Sequence, residues 1–458
     1  MGHSSDTAKT HSEPGQAVAD REEADRYSLA ANRPSGVRMF LRGVVVLTTT
    51  AVMLLPAAVA ALVVRLVRGH SAAHRFLARR VVRQVERLGA TFIKFGQIMA
   101  TRRDALPGVL CDELGNLYDR VGPMRPRAAR AALTAAYGTE QSALFATVDP
   151  VPEASGSIAC VYRATLPDGQ PVAIKLQRPG IRRRMLVDLS ILRAMMSLAE
   201  RLPAFRGVPI GELSGFVFGA ILRQLDFSTE RANLARLHEN FAGLEYVWIP
   251  RTLPELCRPN ALVMEFVPDL VHRPVAEIAP ERRGKLAART LSAVYQMLFI
   301  DGFVHCDLHP GNVYHVGSRI VILDAGFSVQ LPAKVRRQFS EFFLGMALDR
   351  GRRCGEVVVE SAVSIREGAD LDGFVDRVAD LVRRNSGVPA KEFQLMDFGT
   401  ELFDLQRDFG LYAASEFVFP LMSLLVIEGT VRALDPEVDF QAAARPMLLR
   451  AAARTAAA

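Results

Sequence analysis

His305-Cys-Asp-Leu-His-Pro-Gly-Asn312 is the stretch on which the reading of this chain turns. An aspartate in such a loop can accept a hydroxyl proton or orient a nucleophile. An asparagine five residues on can fold back to hold a metal ion. Twelve residues after Asn312 comes Asp324-Ala-Gly326, directly behind the strand-like run Ile320-Val-Ile-Leu323. A strand followed by Asp-x-Gly can be a purely structural turn. Placed just after the His-x-Asp-x-x-x-x-Asn run, it offers a second carboxylate for a metal that bridges phosphates.

The spacing matches the HRDxxxxN catalytic loop and the DFG turn of kinases, with Cys306 at the arginine position and Ala325 at the phenylalanine. Upstream, Pro171-Val-Ala-Ile-Lys175 reads as a strand that delivers one ammonium to a cleft, suited to phosphate oxygens. Taken alone, a surface lysine at a strand end fits it as well. Glu230 lies in a helical stretch between Lys175 and the loop, where a kinase carries the glutamate that orients its lysine. Ala261-Leu-Val-Met-Glu-Phe-Val267 reads as the strand into an interlobe hinge, with backbone near Glu265 and Val267 meeting adenine. A plain core strand fits that segment equally well. No GxGxxG precedes Lys175. The candidate phosphate loop is Ala154, Ser155, Gly156, Ser157, Ile158 and Ala159, whose small residues permit close backbone approach.

At 458 residues the chain is long enough for two or three packed units. Half of it is hydrophobic and the net charge is +7. From Arg65 to Arg87 there are seven arginines against one glutamate, a local net charge of +6 beside an apolar run. That placement points to anionic lipid headgroups. No zinc-finger spacing or aromatic-rich basic strand supports nucleic-acid binding. Five scattered cysteines without a CxxC pair point to a reducing, cytosolic setting.

Residues 1–37 are polar and aperiodic, a disordered tail. Gly43–Val64 follows, 22 residues without a charge, long enough at about 1.5 Å per residue to cross a hydrocarbon core of about 30 Å. A signal peptide would show a cleavage site, and a buried core helix would explain the threonines and Pro56. Length and flanking arginines favour a membrane helix over 38–68, and the C-terminal arginines put the bulk of the chain in the cytoplasm. A helical extension is expected over 69–145, an N-lobe over 146–268, a C-lobe over 269–450 and a tail over 451–458. Ile158–Thr165 and Gln170–Gln177 form a hairpin about Pro167-Asp-Gly169. Helical patterns cover Met185–Arg201 and Ile210–Phe241. The fold class is α+β: two kinase-like lobes, a helical extension and an N-terminal membrane helix.

Several segments together resemble the UbiB/AarF (ABC1-type) atypical kinase-like family. Leu88-Gly-Ala-Thr-Phe-Ile-Lys-Phe-Gly-Gln97 is similar to its KxGQ motif, followed by Ala100-Thr-Arg-Arg-Asp104 and Tyr118-Asp-Arg-Val121. Lys175-Leu-Gln-Arg-Pro-Gly180 and Leu225-Asp-Phe-Ser-Thr-Glu-Arg-Ala-Asn233 resemble family segments, as does Glu428-Gly-Thr-Val-Arg-Ala-Leu-Asp-Pro436 near the end. The resemblance implies ATP (or ADP) with Mg²⁺ and ATP hydrolysis or phosphoryl transfer. It also implies a role in synthesis or trafficking of isoprenoid quinones and other lipids. Lys175, Glu230 and Asp307 are then catalytic, and Asn312 and Asp324 hold the metal. Lys94, Gly96 and Gln97 cover the cleft, with Lys94, Gln97 and Thr101 on one helical face. The resemblance also implies regulatory places for Gln224 and Asp226, although Gln224 stands where the family has glutamate. In the phosphate loop, Ser155-Gly-Ser157 interrupts the family's alanine run and Cys160 replaces a common glutamine. Expected partners are membrane lipids with anionic headgroups, an isoprenoid-type lipid, quinone-biosynthesis proteins and a second copy of the chain. Two other classes stay open: a nucleotide-binding scaffold without turnover, and a protein kinase acting in trans.

Overall fold

A computed structural model describes residues 34–117, 121–201, 208–270, 275–386, 388 and 391–456. Residues 1–33 of the expected 1–37 tail and Tyr118–Arg120 of the Tyr118–Val121 segment lie outside them, while Gly36 and Val37 of that tail already belong to the first helix.

The chain opens with α1 (Gly36–Arg68), α2 (His70–Leu88), α3 (Ala90–Ala100) and α4 (Gly108–Gly115). The apolar run anticipated over Gly43–Val64 is the middle of the 33-residue α1. Only 11 % of its most apolar stretch is buried. The extension expected over 69–145 is not one unit. α2, α3 and α4 pack on one another, whereas α5 (Pro126–Tyr137) crosses to the sheet of the N-lobe. Leu133 and Tyr137 of α5 join Met124 and Phe145 in a core with Tyr162, Val172 and Ile174. The Tyr137 hydroxyl donates to the Leu256 carbonyl at 2.9 Å.

The N-lobe sheet is antiparallel, ordered β1 (Thr147–Val148), β3 (Ala159–Thr165), β4 (Pro171–Gln177) and β6 (Ala261–Glu265), with β2 (Ala154–Ser155) paired to β3. Cys160, Tyr162 and Ala164 alternate inward on β3, as do Val172, Ile174 and Leu176 on β4. Their connection needs Gly169, where φ is +88. The helical pattern expected over Ile210–Phe241 is two helices after α6 (Ile181–Ala199): α7 (Ile210–Gln224) and α8 (Phe227–Asn240). Asp226 divides them. Its backbone is extended and its carboxylate accepts from the Ser228 N–H, an N-cap that starts α8 afresh.

β5 (Val247–Trp248) leaves the N-lobe and pairs in parallel with β9 (Arg319–Ile322), which also pairs with β8 (Val313–Val316). α9 (Pro280–Tyr295) precedes β7 (Phe303–His305), which pairs with β10 (Ser328–Gln330). Then come α10 (Ala333–Ala347), α11 (Gly351–Glu360), β11 (Ala362–Ile365), α12 (Leu371–Asn385), α13 (Leu395–Phe409), β12 (Leu411–Ala413), α14 (Ser415–Leu434) and α15 (Phe440–Ala456). α15 runs past residue 450, where a tail was expected. α14 is also long and apolar, but it is mostly buried in the core. Glu428 on α14, from the late motif, accepts from the Leu395 and Met396 N–H groups and so caps α13.

The extension is anchored to the C-lobe by a buried pair. Arg102 Nε donates to Asp104 Oδ1 at 2.8 Å, while the same guanidinium reaches the Ser415 hydroxyl and the Ala413 carbonyl. Both charged residues are within 1 % of full burial.

Candidate active site

Lys175 sits mid-sheet, between Val161 of β3 and Leu262 of β6. Its Nζ lies 2.7 and 2.8 Å from the two Glu230 oxygens and 3.1 Å from Asp324 Oδ2. Glu230 is in the first turn of α8, so the Asp226 cap that starts the helix also sets the height of this carboxylate. Asn233, one turn on, donates to the Ala325 carbonyl at 2.8 Å and fastens the Asp-Ala-Gly turn to the same helix. Asp324 has φ +50, a left-handed conformation that costs a non-glycine residue about 1 kcal/mol. A methyl group added at Gly326 would stand 3.2 Å from Asp324 Oδ1 and 3.6 Å from Gln224 Cγ, so glycine lets the turn sit close to both side chains.

Burial disfavours the Lys175 ammonium, but the carboxylates of Asp324 and Glu230 outweigh it and hold its pKa above the usual lysine range. Burial would raise Asp324 too. The ammonium groups of Lys175 and, next, Lys94 prevail and keep it well below the usual carboxylate range. Glu230 moves the other way. Its burial pushes it up against the pull of Lys175, and the charge on Asp324 reinforces the rise.

The loop from His305 to Asn312 fixes its own shape. His305 is fully buried, which lowers its pKa, so the ring is neutral. Its Nδ1 accepts from the Asp307 N–H at 3.1 Å, and its Nε2 lies 3.2 Å from the Leu323 carbonyl, which assigns the proton to Nε2. Asn312 donates from its amide to the Asp307 carbonyl at 2.8 Å, and its own carbonyl accepts from the Leu323 N–H. The Asn312 amide oxygen is left as its ligand atom, a hard donor like the Asp324 carboxylate. Among the described residues no three His, Cys, Asp or Glu groups converge as a metal cage. A cation here would take its other ligands from phosphate and water. That donor set fits Mg²⁺.

Lys94 on α3 points into this site, with Nζ 4.0 Å from Asp307 Oδ2. Its motif partners do something else. The Gln97 amide donates to the Leu117 carbonyl, 3.1 Å away, inside the extension. A methyl group at Gly96 would meet Leu117 Cδ1 at 2.7 Å, so this glycine lets α3 pack closely on the residues just past the end of α4. Thr101 lies just past the helix end and bonds back to the Ile98 carbonyl. The single polar face expected for Lys94, Gln97 and Thr101 therefore brings only Lys94 to the site.

The candidate phosphate loop turns tightly, with the Gly156 N–H bonded to the Ala159 carbonyl. Ser157 is buried and Ile158 is packed in the core. Ser155 donates to the Val121 carbonyl. Arg178, directly after β4, donates to the Gly156 carbonyl, to Ser155 Oγ and to the Gly122 carbonyl. Glu265 spends its side chain on Trp248 Nε1 and the Arg251 N–H, and Val267 is buried beside it.

Three residues were given no role by the sequence. His309 Nε2 lies 3.7 Å from Asp307 Oδ2 and 3.3 Å from Asn312 Nδ2, while its Nδ1 accepts from the Gly311 N–H. Its presence between the two functional residues of the loop was the available signal. For Asn233 the signal was its place one turn from Glu230, and for Arg178 its place at the end of the lysine strand.

Two lobes about an Asp–Asn loop, a lysine–glutamate pair and a strand–Asp–x–Gly turn define a kinase-like site. Residues 116–358 match the family described as ABC1 atypical kinase-like domain. The chain belongs to this family, that of the UbiB proteins. It is 31% identical over 371 residues to a protein of Pseudomonas entomophila named "Probable protein kinase UbiB", across 79% of this chain and 69% of that one. A protein of the same name from Aeromonas hydrophila is 33% identical over 376 residues, across 79% of this chain and 68% of the other. Among solved structures, that of Rv3197 with erythromycin from Mycobacterium tuberculosis shares the fold. Its TM-score is 0.56 at 18% identity, covering 77% of this chain and 90% of that one.

Proposed function

We propose that the chain is a membrane-associated, ATP-binding atypical kinase or ATPase that supports handling of an isoprenoid lipid, in quinone biosynthesis or trafficking. The observation that carries the enzymatic part is the placement of Lys175 between Glu230 and Asp324, with Asp307 and Asn312 across the cleft. Lys175 would contact the α- and β-phosphates, and Glu230 would keep its ammonium from collapsing onto Asp324. Asn312 and Asp324 would hold Mg²⁺, which would supply charge neutralisation at the phosphates. Asp307, held by its N–H on neutral His305, would orient the attacking hydroxyl or water and take its proton. The small-residue turn at Gly156, braced by Arg178, would bring backbone N–H groups to the phosphates.

The lipid part rests on family membership, and the membrane part on α1. The catalytic region would face the cytoplasm. Lys94 in front of Asp307 counts against a protein substrate phosphorylated in trans, since α3 stands where such a substrate would approach. Gln224 in place of a family glutamate keeps a scaffold without turnover as the second reading.

ATP hydrolysis by wild type and Asp307→Asn on liposomes separates the two. Equal rates would remove the enzyme reading. Lipid profiling of a deletion strain complemented with either form tests the lipid role. A quinone pool restored equally by both forms would leave the chain as a scaffold.

A further inference from the structure

By length and composition α1 could cross a bilayer, but its surroundings hold it to the catalytic body. The chain reverses at Gly69, where φ is +83, and α2 packs back along α1. The two are joined well away from the turn. Gln84 donates to Thr49 Oγ1 at 3.1 Å and to Thr50 Oγ1 at 3.0 Å, and Arg87 Nη1 lies 3.8 Å from Met53 Sδ. Near the start of α1, Arg42 Nε lies 2.8 Å from Asp188 Oδ1 on α6, and Arg42 Nη2 donates to the Leu88 carbonyl. Asp188 is 2 % exposed, and its second oxygen accepts from Thr91 on α3 at 2.9 Å.

Pulling α1 away into a bilayer would strand the buried Asp188 carboxylate without its cation. Carrying the α1–α2 pair in together would take the arginines of α2 into hydrocarbon. Neither suits a helix that crosses.

The free side of α1 is apolar, with Val45, Leu47, Val52, Leu55, Val59 and Leu62 all exposed. Exposed basic groups stand at its ends, Arg38 near the start and Arg65 and Arg68 at the finish, and more lie on α2. α2 exposes Arg75, Arg79, Arg83 and Arg87 at i, i+4 steps, a row roughly 18 Å long in which Arg79 pairs with Glu113 of α4 at 2.9 Å. At the opposite end, Arg38, Arg182 and Arg183 line a cavity of about 470 Å³ between the starts of α1 and α6. An apolar helix side flanked by guanidinium groups is the pattern of a helix lying in a membrane interface.

We propose that α1 lies in the plane of an anionic phospholipid surface and does not cross it. Its apolar side enters the acyl boundary, while Arg75, Arg83 and Arg87 of α2 and the Arg38–Arg182–Arg183 cluster meet lipid phosphates. This rests on the membrane reading above and specifies its topology. Both ends of α1 then stay on the cytoplasmic face.

The test uses the full chain in bacterial membranes, with Ser35→Cys or His70→Cys bracketing α1. Labelling by an impermeant maleimide is scored as the increment over wild type. In sealed right-side-out vesicles neither site should react, and both should react after permeabilisation. Reaction of Ser35→Cys in intact vesicles would overturn the proposal and leave membrane association standing. A chain recovered wholly in the soluble fraction would overturn the membrane reading and this proposal with it. A second measurement floats purified protein with phosphatidylcholine–phosphatidylglycerol vesicles and with phosphatidylcholine alone. Changing Arg75, Arg83 and Arg87 together to Gln should weaken binding to the mixed vesicles roughly tenfold or more. An unchanged thermal melt would verify that the triple variant folds. Undiminished binding by a folded variant would count against the α2 row as a lipid contact.

Discussion

Glu230→Gln should separate activity from stability. The native carboxylate makes two short charge-assisted contacts with Lys175, at 2.7 and 2.8 Å. Glutamine keeps one acceptor and turns an NH₂ toward the ammonium. Losing a hydrogen bond to a charged group costs about 1.5–3 kcal/mol. The larger penalty for an orphaned buried charge does not apply, because Asp324 Oδ2 remains 3.1 Å from Lys175. With Glu230 neutral, Lys175 shifts toward Asp324 and occupies the place proposed for the metal. At about 1.4 kcal/mol per tenfold, kcat/KM for ATP should fall roughly 10- to 150-fold. Folding stability should change by less than about 1 kcal/mol, because the buried carboxylate is itself costly to ionise, as its raised pKa reports. ATPase kinetics paired with thermal melts test both halves. Near-wild-type turnover together with a clear loss of melting temperature would refute the reasoning and make the pair a structural staple.

Three further outcomes are expected. Arg102→Met leaves Asp104 buried and unpaired, a loss of about 3–5 kcal/mol, read by calorimetry as a Tm drop of roughly 4–6 °C. Adding Asp104→Leu should recover part of it. Lys94→Ala removes an ammonium 4.0 Å from Asp307; both side chains are partly solvated, so the effect is at most about 1 kcal/mol, a rise of up to about fivefold in basal ATP hydrolysis that shrinks with salt. A fall in rate would make Lys94 a contact of the reacting phosphate instead. Neutral burial of His305 holds its folded pKa below its unfolded value of 6.5. The unfolded chain therefore binds the extra proton, and stability is complete above that pH and declines below it. Urea midpoints taken on either side of 6.5 should show a shallower acid limb for His305→Asn; parallel limbs would reject the assignment.

The parts of the fold with local grammar were legible from residues alone. The β3–β4 hairpin followed from alternation about a Pro-Asp-Gly turn, and the short β9 from the apolar run Ile320–Leu323. Asp307, Asn312 and Asp324 came from spacing, because one loop and one turn carry them. What the sequence hid depends on distant partners. Asp226 sits inside an apparently continuous helical pattern, and only its cap on Ser228 breaks that pattern. Gln97 was grouped with Lys94 by helical phase, yet the Leu117 carbonyl claims its side chain. Arg42 and Asp188 are 146 residues apart, and neither carries a local signal of the other. The α1 run satisfies a length criterion that takes no account of what packs beside it.

The extension touches both lobes. Arg102 holds β12 and the start of α14, while the carbonyls of Val121 and Gly122 are held by Ser155 and Arg178 of the N-lobe. Two lobes joined by a hinge ordinarily breathe apart to exchange ligand. Here Arg102 ties the extension to one lobe and the Val121 and Gly122 carbonyls tie it to the other, so a motion that parts the lobes would load these bonds. Under the function proposed above, these ties would slow nucleotide exchange more than bond cleavage.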